Sequence, residues 1–457
     1  MKKLKSFFLV LLMATVCLVI YYMVPALTGA PSSVTDDTAK EENTGNLNVD
    51  NSTEENSTED NSTEENTTED TQNGTENNTG NTEEPDDVVP TDKVTISLVA
   101  VGDNFAHESV INSGKQTDGT YNYDFLFEGI KEYVQNADIA AIFQTMIMAG
   151  NDKGLTGYPS FNTPVEMMAA IENAGFDVAL MASNHSTDKD IPGIKDCLKH
   201  WKKYGKVKPV GIYSDKKESE NIPIIEVQGK KIAVLNYTYG LNKPIKGKKE
   251  QYMVEYLGTL DEKTGVASKT TLATSVITDI QTAETMADYV IVFPYWGDEY
   301  TFTTGATEKE WAKKMTEAGA DLIIGSHTHY IGEVEEITTD NGNKSLCYYS
   351  LGNFCSTFNN PSTMVGAMAK VNIVFDGEEV YIDKEGTGLI PIVTHYTHSG
   401  NADDEAATVV GVYPLSKYTS AMAASHGIKT RGKVAFSLEF VTSLVDEHVD
   451  DKYLLEE

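Results

Sequence analysis

The sequence predicts an α/β domain built on one mixed sheet or on two packed sheets. Apolar, β-branched segments alternate with helical segments in the first half of the domain, as in parallel strands joined by helices. Later strand-like segments follow one another, with turn signals at Asn341-Gly342 and Asp376-Gly377. Polar residues of the types that bind metal ions stand directly after several strands, which predicts a functional crevice.

Each predicted strand is a run of apolar and β-branched residues that ends at a glycine or a polar residue, which is typical of a buried strand. The five strands are predicted at 93–101, 138–143, 177–181, 288–293 and 321–324. Thr163, followed by Pro164 and Glu166, predicts the capped start of a helix that ends at Gly175.

The first 30 residues have the features of a targeting segment. Three lysines at positions 2, 3 and 5 precede an uncharged apolar run from Phe7 to Leu27, which is long enough to span a bilayer. We expect a single-pass signal-anchor in the cell membrane, with the basic end cytoplasmic and the folded domain extracellular. Cleavage after Ala30 and lipidation of Cys17 remain alternatives at this point.

Residues 31–92 are predicted to be a disordered, acidic linker. Asn, Ser, Thr, Glu and Asp dominate the stretch, and a pentapeptide that begins at Asn51 recurs at Asn56, Asn61 and Asn66. Few large apolar side chains are present to offset the entropy of ordering the chain. The repeats match N-glycosylation sites, although slippage of a polar low-complexity tract produces the same pattern.

Length and charge narrow the functional class. The 457 residues carry a formal net charge of −33, which argues against a nucleic acid partner because phosphate binding needs a basic face.

The folded domain is predicted at 93–400. Residues 401–457 are predicted to form a C-terminal extension that packs on the domain or trails from it.

Candidate metal ligands follow three of the predicted strands. They are Asp103, then Asn184 with His185, then His327 with His329. Because strand ends line a shared crevice in open α/β folds, we expect these side chains to lie close together. Carboxylate, amide and imidazole groups all bind divalent ions. Each residue also has an ordinary alternative role, as a turn cap or a loop hydrogen bonder.

Six short motifs carry a resemblance to a known family. They are 101–104 (VGDN), 137–140 (ADIA), 183–185 (SNH) with Asp188, 296–300 (WGDEY), 325–329 (GSHTH) and 349–354 (YSLGNF). In this order they resemble the CapA family of capsule and poly-γ-glutamate synthesis proteins, over 93 to about 398. The resemblance implies a calcineurin-like metallophosphatase-type sandwich of two mixed sheets flanked by helices. It also implies a functional link to poly-γ-glutamate or another capsule polymer at the cell surface.

The resemblance implies roles for five residues. Asp103, Asn184, His327 and His329 match metal-ligand positions, and His185 matches the position of a general acid or phosphate contact. Two positions differ, since Thr145 stands where the family has a glutamate and Tyr295 where it has a histidine. Because two-metal catalysis needs both ions held close together, we expect a partly degenerate site that binds at most one divalent ion.

Four further residues are candidate substrate-binding residues, namely His107, Tyr295, Glu299 and Asn353. His107 lies four residues past Asp103 and can flank the site. Tyr295 is a poor metal ligand at neutral pH but can bind an anion. Glu299 either orients a ligand or pairs with a surface lysine.

Three functions stay open on these grounds. The first is a membrane-anchored, metal-dependent hydrolase or transferase that acts on a phosphoester or on an amide of an anionic capsule polymer. The second is a non-catalytic subunit that binds such a polymer, or other capsule synthesis proteins, in synthesis, export or anchoring. The third is a spore or cell-wall accessory protein without a ligand. Thr145 and Tyr295 favour the second function, whereas Asp103 and the histidines favour the first.

Overall fold

Two mixed sheets flanked by helices, together with a small two-stranded sheet, make up the computed structural model, which describes residues 93–399 and 407–455. This architecture confirms the predicted α/β class. The predicted signal-anchor at 1–30 and the predicted linker at 31–92 lie outside the described residues. Within the described ranges, no helix is both long enough and apolar enough to cross a membrane.

The described residues form seventeen strands and ten α-helices. The strands are β1 (Val94–Asn104), β2 (Ile139–Phe143), β3 (Val178–Leu180), β4 (Lys208–Val210), β5 (Ile224–Val227), β6 (Lys230–Thr238), β7 (Gly258–Leu260), β8 (Ala267–Leu272), β9 (Tyr289–Tyr295), β10 (Leu322–Ile324), β11 (Val334–Thr338), β12 (Lys344–Tyr348), β13 (Asn353–Cys355), β14 (Val365–Asp376), β15 (Glu379–Ile382), β16 (Gly388–His398) and β17 (Ala407–Pro414). The helices are α1 (Glu108–Ser113), α2 (Lys131–Asn136), α3 (Glu166–Ala174), α4 (Asp190–Tyr204), α5 (Lys216–Ser219), α6 (Thr274–Glu284), α7 (Ala306–Ala318), α8 (Ser420–Ser425), α9 (Ile428–Arg431) and α10 (Leu438–His448).

The first sheet has the strand order β17-β16-β14-β1-β2-β3-β4, with β13 beside β1 and β15 beside β14. Strands β1 to β4 run parallel to one another, so their carboxyl ends meet at one edge. The other half is antiparallel, and β17, from the predicted C-terminal extension, pairs with β16 at its edge.

The second sheet has the order β11-β12-β10-β9-β6-β5, and its four central strands are parallel. Strand β13 connects the two sheets, because it follows β12 and then pairs with the end of β1, where Asn353 lies opposite Asp103. The carboxyl ends of the parallel strands of both sheets therefore come together.

A buried apolar core fills the space between the sheets. Alternate residues of β6 face opposite ways, since Ile232 and Val234 join this core whereas Ala233 and Leu235 pack with α6 and α7. The rings of Phe143 in β2 and Phe293 in β9 meet across the sandwich, with centroids 6.0 Å apart. Aromatic contacts of this kind add to the stabilisation that area burial gives.

Both predicted hairpin turns are confirmed, because Gly342 and Gly377 adopt positive φ between antiparallel strands. The predicted cap of α3 is wrong, since the helix begins at Glu166 and Thr163 does not cap it. Asn151, from another loop, caps the start of the helix instead. The Asn151 Oδ1 accepts the Val165 N–H at 3.0 Å, and its Nδ2 donates to the Glu166 carboxylate at 2.8 Å.

Candidate functional site

Asp103 lies at the point where the two sheets meet. Its side chain is fully buried at the end of β1. Oδ1 accepts a hydrogen bond from the Thr145 hydroxyl at 2.8 Å, and Oδ2 accepts the His327 backbone N–H at 3.3 Å. Burial raises the pKa of Asp103 to about 6 because no water solvates the charged form.

The backbone around Asp103 needs glycine at the preceding position. A Cβ on Gly102 would overlap the carbonyl oxygen of Gly352, the residue directly before β13. The absence of a side chain at Gly102 thus lets the strand that leads to Asn353 approach β1 closely.

The loop after β10 holds two histidines in unusual backbone conformations. His327 has a φ of 112° and His329 a φ of 64°. Residues other than glycine rarely adopt positive φ angles. Strain of this kind persists where surrounding contacts enforce it, and such residues cluster at functional sites. Both imidazoles are almost fully buried.

Hydrogen bonds fix the tautomers of both imidazoles. Nδ1 of His327 donates to the Gly297 carbonyl oxygen at 3.0 Å. Nδ1 of His329 bonds to Oδ1 of Asn353 at 3.0 Å. The Asn353 amide nitrogen donates to the Thr363 carbonyl oxygen, so its Oδ1 must accept from His329. In the neutral imidazoles each Nε2 then carries the lone pair, as in a metal ligand with an ordered outer partner.

His185 has a carboxylate partner. Its Nδ1 lies 2.8 Å from Oδ2 of Asp188, and both residues are buried. The Phe161 backbone N–H donates to the same oxygen at 2.7 Å, which holds Asp188 in place. A histidine oriented in this way can give or take a proton at Nε2. Asp188 stood in the sequence motif three residues after His185 but was not among the candidate site residues, and this spacing was the signal that pointed to it.

Asn184 presents an amide oxygen without a partner. Its Oδ1 is buried and accepts no hydrogen bond, while its backbone oxygen accepts the Asn242 N–H at 2.9 Å. A buried acceptor left unsatisfied costs about 1–3 kcal/mol. A cation would satisfy this oxygen and also the Nε2 of His327, which is likewise buried without a hydrogen-bond partner.

The donor chemistry fits one divalent ion. Asp103 and Asn184 supply oxygen, whereas His327 and His329 supply nitrogen, and such sets bind Zn²⁺ and similar ions. Asp103 is in direct contact with His327, and the two imidazole centroids are 6.2 Å apart. Among residues 93–399 and 407–455, however, no three His, Cys, Asp or Glu side chains are grouped closely enough to hold an ion. Shared binding of one ion therefore stays a prediction.

The two substituted positions supply neither a carboxylate nor an imidazole. Thr145 presents a neutral hydroxyl to Asp103. Tyr295 is fully buried, and its ring packs against His327 with centroids 4.8 Å apart. Burial keeps the pKa of Tyr295 far above its ordinary value, so its phenol stays neutral.

The other candidate residues have clear positions. His107 is buried against Phe358, its Nδ1 accepts the Thr357 N–H at 3.2 Å, and burial lowers its pKa to about 3. The Asn353 side chain accepts from His329 at Oδ1 and donates to the Thr363 carbonyl oxygen at Nδ2. Glu299 lies 3.5 Å from the His327 Nε2, and this contact holds the pKa of Glu299 below its ordinary range.

Aromatic rings that the sequence analysis did not identify surround the histidines. Phe105 packs against His329 at 5.1 Å between centroids, and Phe161 packs edge-on against His185 at 4.8 Å. Tyr239 lies 4.4 Å from the ring of His327. Of these three rings, only Phe105, between Asp103 and His107, is close to the motifs in sequence, because distant loops supply the other two.

The family comparison covers the whole candidate site. A family model described as "Bacterial capsule synthesis protein PGA_cap" matches residues 97–357. Every candidate site residue lies within this range, from Asp103 to Asn353.

Two curated proteins are similar to this chain. The capsule biosynthesis protein CapA of Bacillus anthracis is 28% identical over 263 residues, which is 57% of this chain and 59% of that protein. The PGA biosynthesis protein CapA of Bacillus subtilis (strain 168) is 29% identical over 237 residues, which is 51% of this chain and 55% of that protein. The chain thus spans less than two thirds of the length of either relative.

Solved structures are only weakly similar. A putative 5'-nucleotidase from Staphylococcus aureus is 13% identical with a TM-score of 0.38, over 65% of this chain and 54% of that chain. The sulfate thiohydrolase SoxB of Thermus thermophilus is 11% identical with a TM-score of 0.31, over 71% of this chain and 45% of that chain. TM-scores this low support no inference about function.

Proposed function

Because this chain belongs to the bacterial capsule synthesis protein family PGA_cap, we propose that it acts in the synthesis, export or anchoring of poly-γ-glutamate or a similar anionic capsule polymer. The observation that carries the proposal is the extent of the family match, which includes all the candidate site residues. We propose further that residues 1–30 anchor the chain in the cell membrane and that the folded domain is extracellular.

The site favours a metallophosphatase-type centre with a single divalent ion. Asp103, Asn184, His327 and His329 would hold it. Such an ion acidifies bound water and polarises the bond to be cleaved. His185, oriented by Asp188 at 2.8 Å, would hold or deliver a proton at Nε2. A metal-dependent hydrolase or phosphoesterase of reduced power is consistent with this arrangement.

A non-catalytic binding or assembly subunit is the second candidate. The observation that favours it is the pair of substituted positions, since the Thr145 hydroxyl occupies a carboxylate oxygen of Asp103 and the Tyr295 phenol is buried. In this case the crevice would hold the polymer or a partner protein without cleaving a bond.

Deletion of the gene in its own host tests the proposal. We expect the amount of surface polymer to fall and the wild-type chain to restore it. An unchanged amount of polymer would contradict a capsule function. His185→Gln separates the two candidates, because an enzyme should fail to restore the polymer with this variant whereas a binding subunit should succeed. His200→Gln, on α4, is the matched control that should restore polymer in both cases.

Cell fractionation tests the proposed anchor. We expect the full chain in the membrane fraction, with the domain accessible to protease added outside the cell. The chain without residues 1–30 should leave that fraction. Full protection of the domain from external protease would refute the extracellular location.

A further inference from the structure

Glu299 and His327 direct ligand atoms towards one another. His327 donates its Nδ1 proton to the Gly297 carbonyl oxygen at 3.0 Å, which leaves the lone pair of the neutral ring on Nε2. That nitrogen is buried and has no hydrogen-bond partner. Its charged neighbour is Oε1 of Glu299, at 3.5 Å.

This separation is too long for a good hydrogen bond but matches two ligands of one ion. Hydrogen bonds from nitrogen to oxygen usually measure about 2.7–3.2 Å. Two atoms that each lie about 2.1 Å from a zinc ion at the tetrahedral angle are about 3.4 Å apart.

The backbone holds the two residues in this arrangement. The Tyr300 N–H donates to the Thr328 carbonyl oxygen at 2.8 Å, which ties the loop after β9 to the loop after β10. Tyr300 has a φ of 60°, so the loop turns sharply directly after Glu299. The contact therefore does not depend on a flexible side chain alone.

We propose that Glu299 is a metal ligand, and that the single ion of this site lies between its carboxylate and the Nε2 of His327. This inference rests on the proposed one-ion site and identifies a ligand in it. Glu299 supplies the negative charge that Thr145 cannot supply, because the Thr145 hydroxyl only donates to Asp103. The ion thus lies at the β9 and β10 side of the crevice.

Asn184 is a candidate for the third ligand. The amide oxygen of Asn184 is buried without a partner, and Tyr239 lies against both Asn184 and the ring of His327. Because the Glu299 side chain is 41% exposed and that of His327 only 3%, an ion reaches the site from solvent past Glu299. The other proposed ligands and water complete the coordination, as at metal sites that keep an open position.

Cobalt binding to the purified full chain tests the proposal. Co²⁺ is titrated into chelator-treated protein, and its visible absorption reports affinity and coordination number. We expect Glu299→Gln to weaken Co²⁺ affinity at least tenfold, and His327→Gln to weaken it similarly. Glu308→Gln, in the first turn of α7, is the matched control and should stay within twofold. Thermal unfolding of each variant checks that the fold is intact.

The outcomes separate this inference from the proposed function. Wild-type affinity in Glu299→Gln, together with loss in His327→Gln, would overturn the role of Glu299 and leave the one-ion site standing. Absence of Co²⁺ binding by the wild type would overturn both the inference and the metal site, but not the capsule function, which the polymer assay tests separately. X-ray absorption of the Co²⁺-loaded wild type gives a second measurement, and a first shell without imidazole nitrogen would also refute the proposal.

Discussion

The hydrogen bond between Asn353 and His329 should couple the two residues in stability and in metal binding. Asn353→Ala removes the acceptor at 3.0 Å and leaves a buried Nδ1–H without a partner. An unsatisfied buried donor costs about 1–3 kcal/mol. Thr363 keeps a partner, because the Ser356 hydroxyl also donates to its carbonyl oxygen at 3.2 Å. We therefore expect a loss of about 2–3 kcal/mol in the free energy of unfolding.

A double-mutant cycle measures this coupling. The free energy of unfolding of metal-free protein is determined in urea for the wild type, Asn353→Ala, His329→Ala and the double variant. We expect a coupling energy of about 1–2 kcal/mol, since each single change leaves the other partner unsatisfied. Asn162, a buried asparagine without a hydrogen bond to His329, is the matched control, and its cycle with His329→Ala should be additive.

Metal affinity gives the second measurement. Asn353 does not face the ion, yet its loss frees the tautomer and the ring orientation of His329. Changes of such outer partners typically weaken metal binding about 10–100-fold. Additive stabilities in the Asn353 cycle, together with unchanged Co²⁺ affinity, would show that Asn353 does not orient His329.

Three further changes test other parts of the structure. Gly102→Ala should cost about 3 kcal/mol in the free energy of unfolding, because the added Cβ would overlap a backbone carbonyl group. Gly240 faces open space, so Gly240→Ala should cost far less. Equal costs for the two variants would contradict the close approach of the backbone at Gly102. Burial lowers the pKa of His426 to about 3, so its contribution to stability is present above pH ~6.5 and is lost as the pH falls towards 3. His426→Gln should therefore reduce the slope of unfolding free energy against pH between about 6 and 4 by up to one proton, and an unchanged slope would refute this. Thr145→Glu combined with Tyr295→His should raise the metal content from one ion towards two in elemental analysis, and two ions in the native chain would contradict the degenerate site.

Local sequence patterns predicted the strands that position the site. The run before Asp103 is apolar on both faces because β1 lies inside a sheet and between layers, and such a strand is recognisable without knowledge of its partners. The loop before α3 was not predictable in the same way. Thr163 is a residue type that often caps helices, but Asn151 provides the hydrogen bonds. Nothing in the local sequence pattern reveals a capping partner from another loop.

The candidate site was also only partly predictable from the local sequence. Asp103, His327 and His329 follow strands, so their placement could be inferred from the sequence. The role of Asn353 could not, because it depends on the pairing of β13 with β1, which brings Asn353 opposite Asp103 from 250 residues away in the chain. Pairing between strands so far apart in the chain leaves no periodic signal.

The edge strand β17 has a consequence for how the chain can be shortened. β17 covers the free edge of β16, and further on Leu455 donates its N–H to the Leu389 carbonyl oxygen at 3.0 Å. A variant truncated at residue 399 would present the eleven residues of β16 as an open template, largely apolar on one side, for pairing with another chain. Removal of the region after residue 399 would thus turn a covered sheet edge into one prone to aggregate, even though every candidate site residue remains.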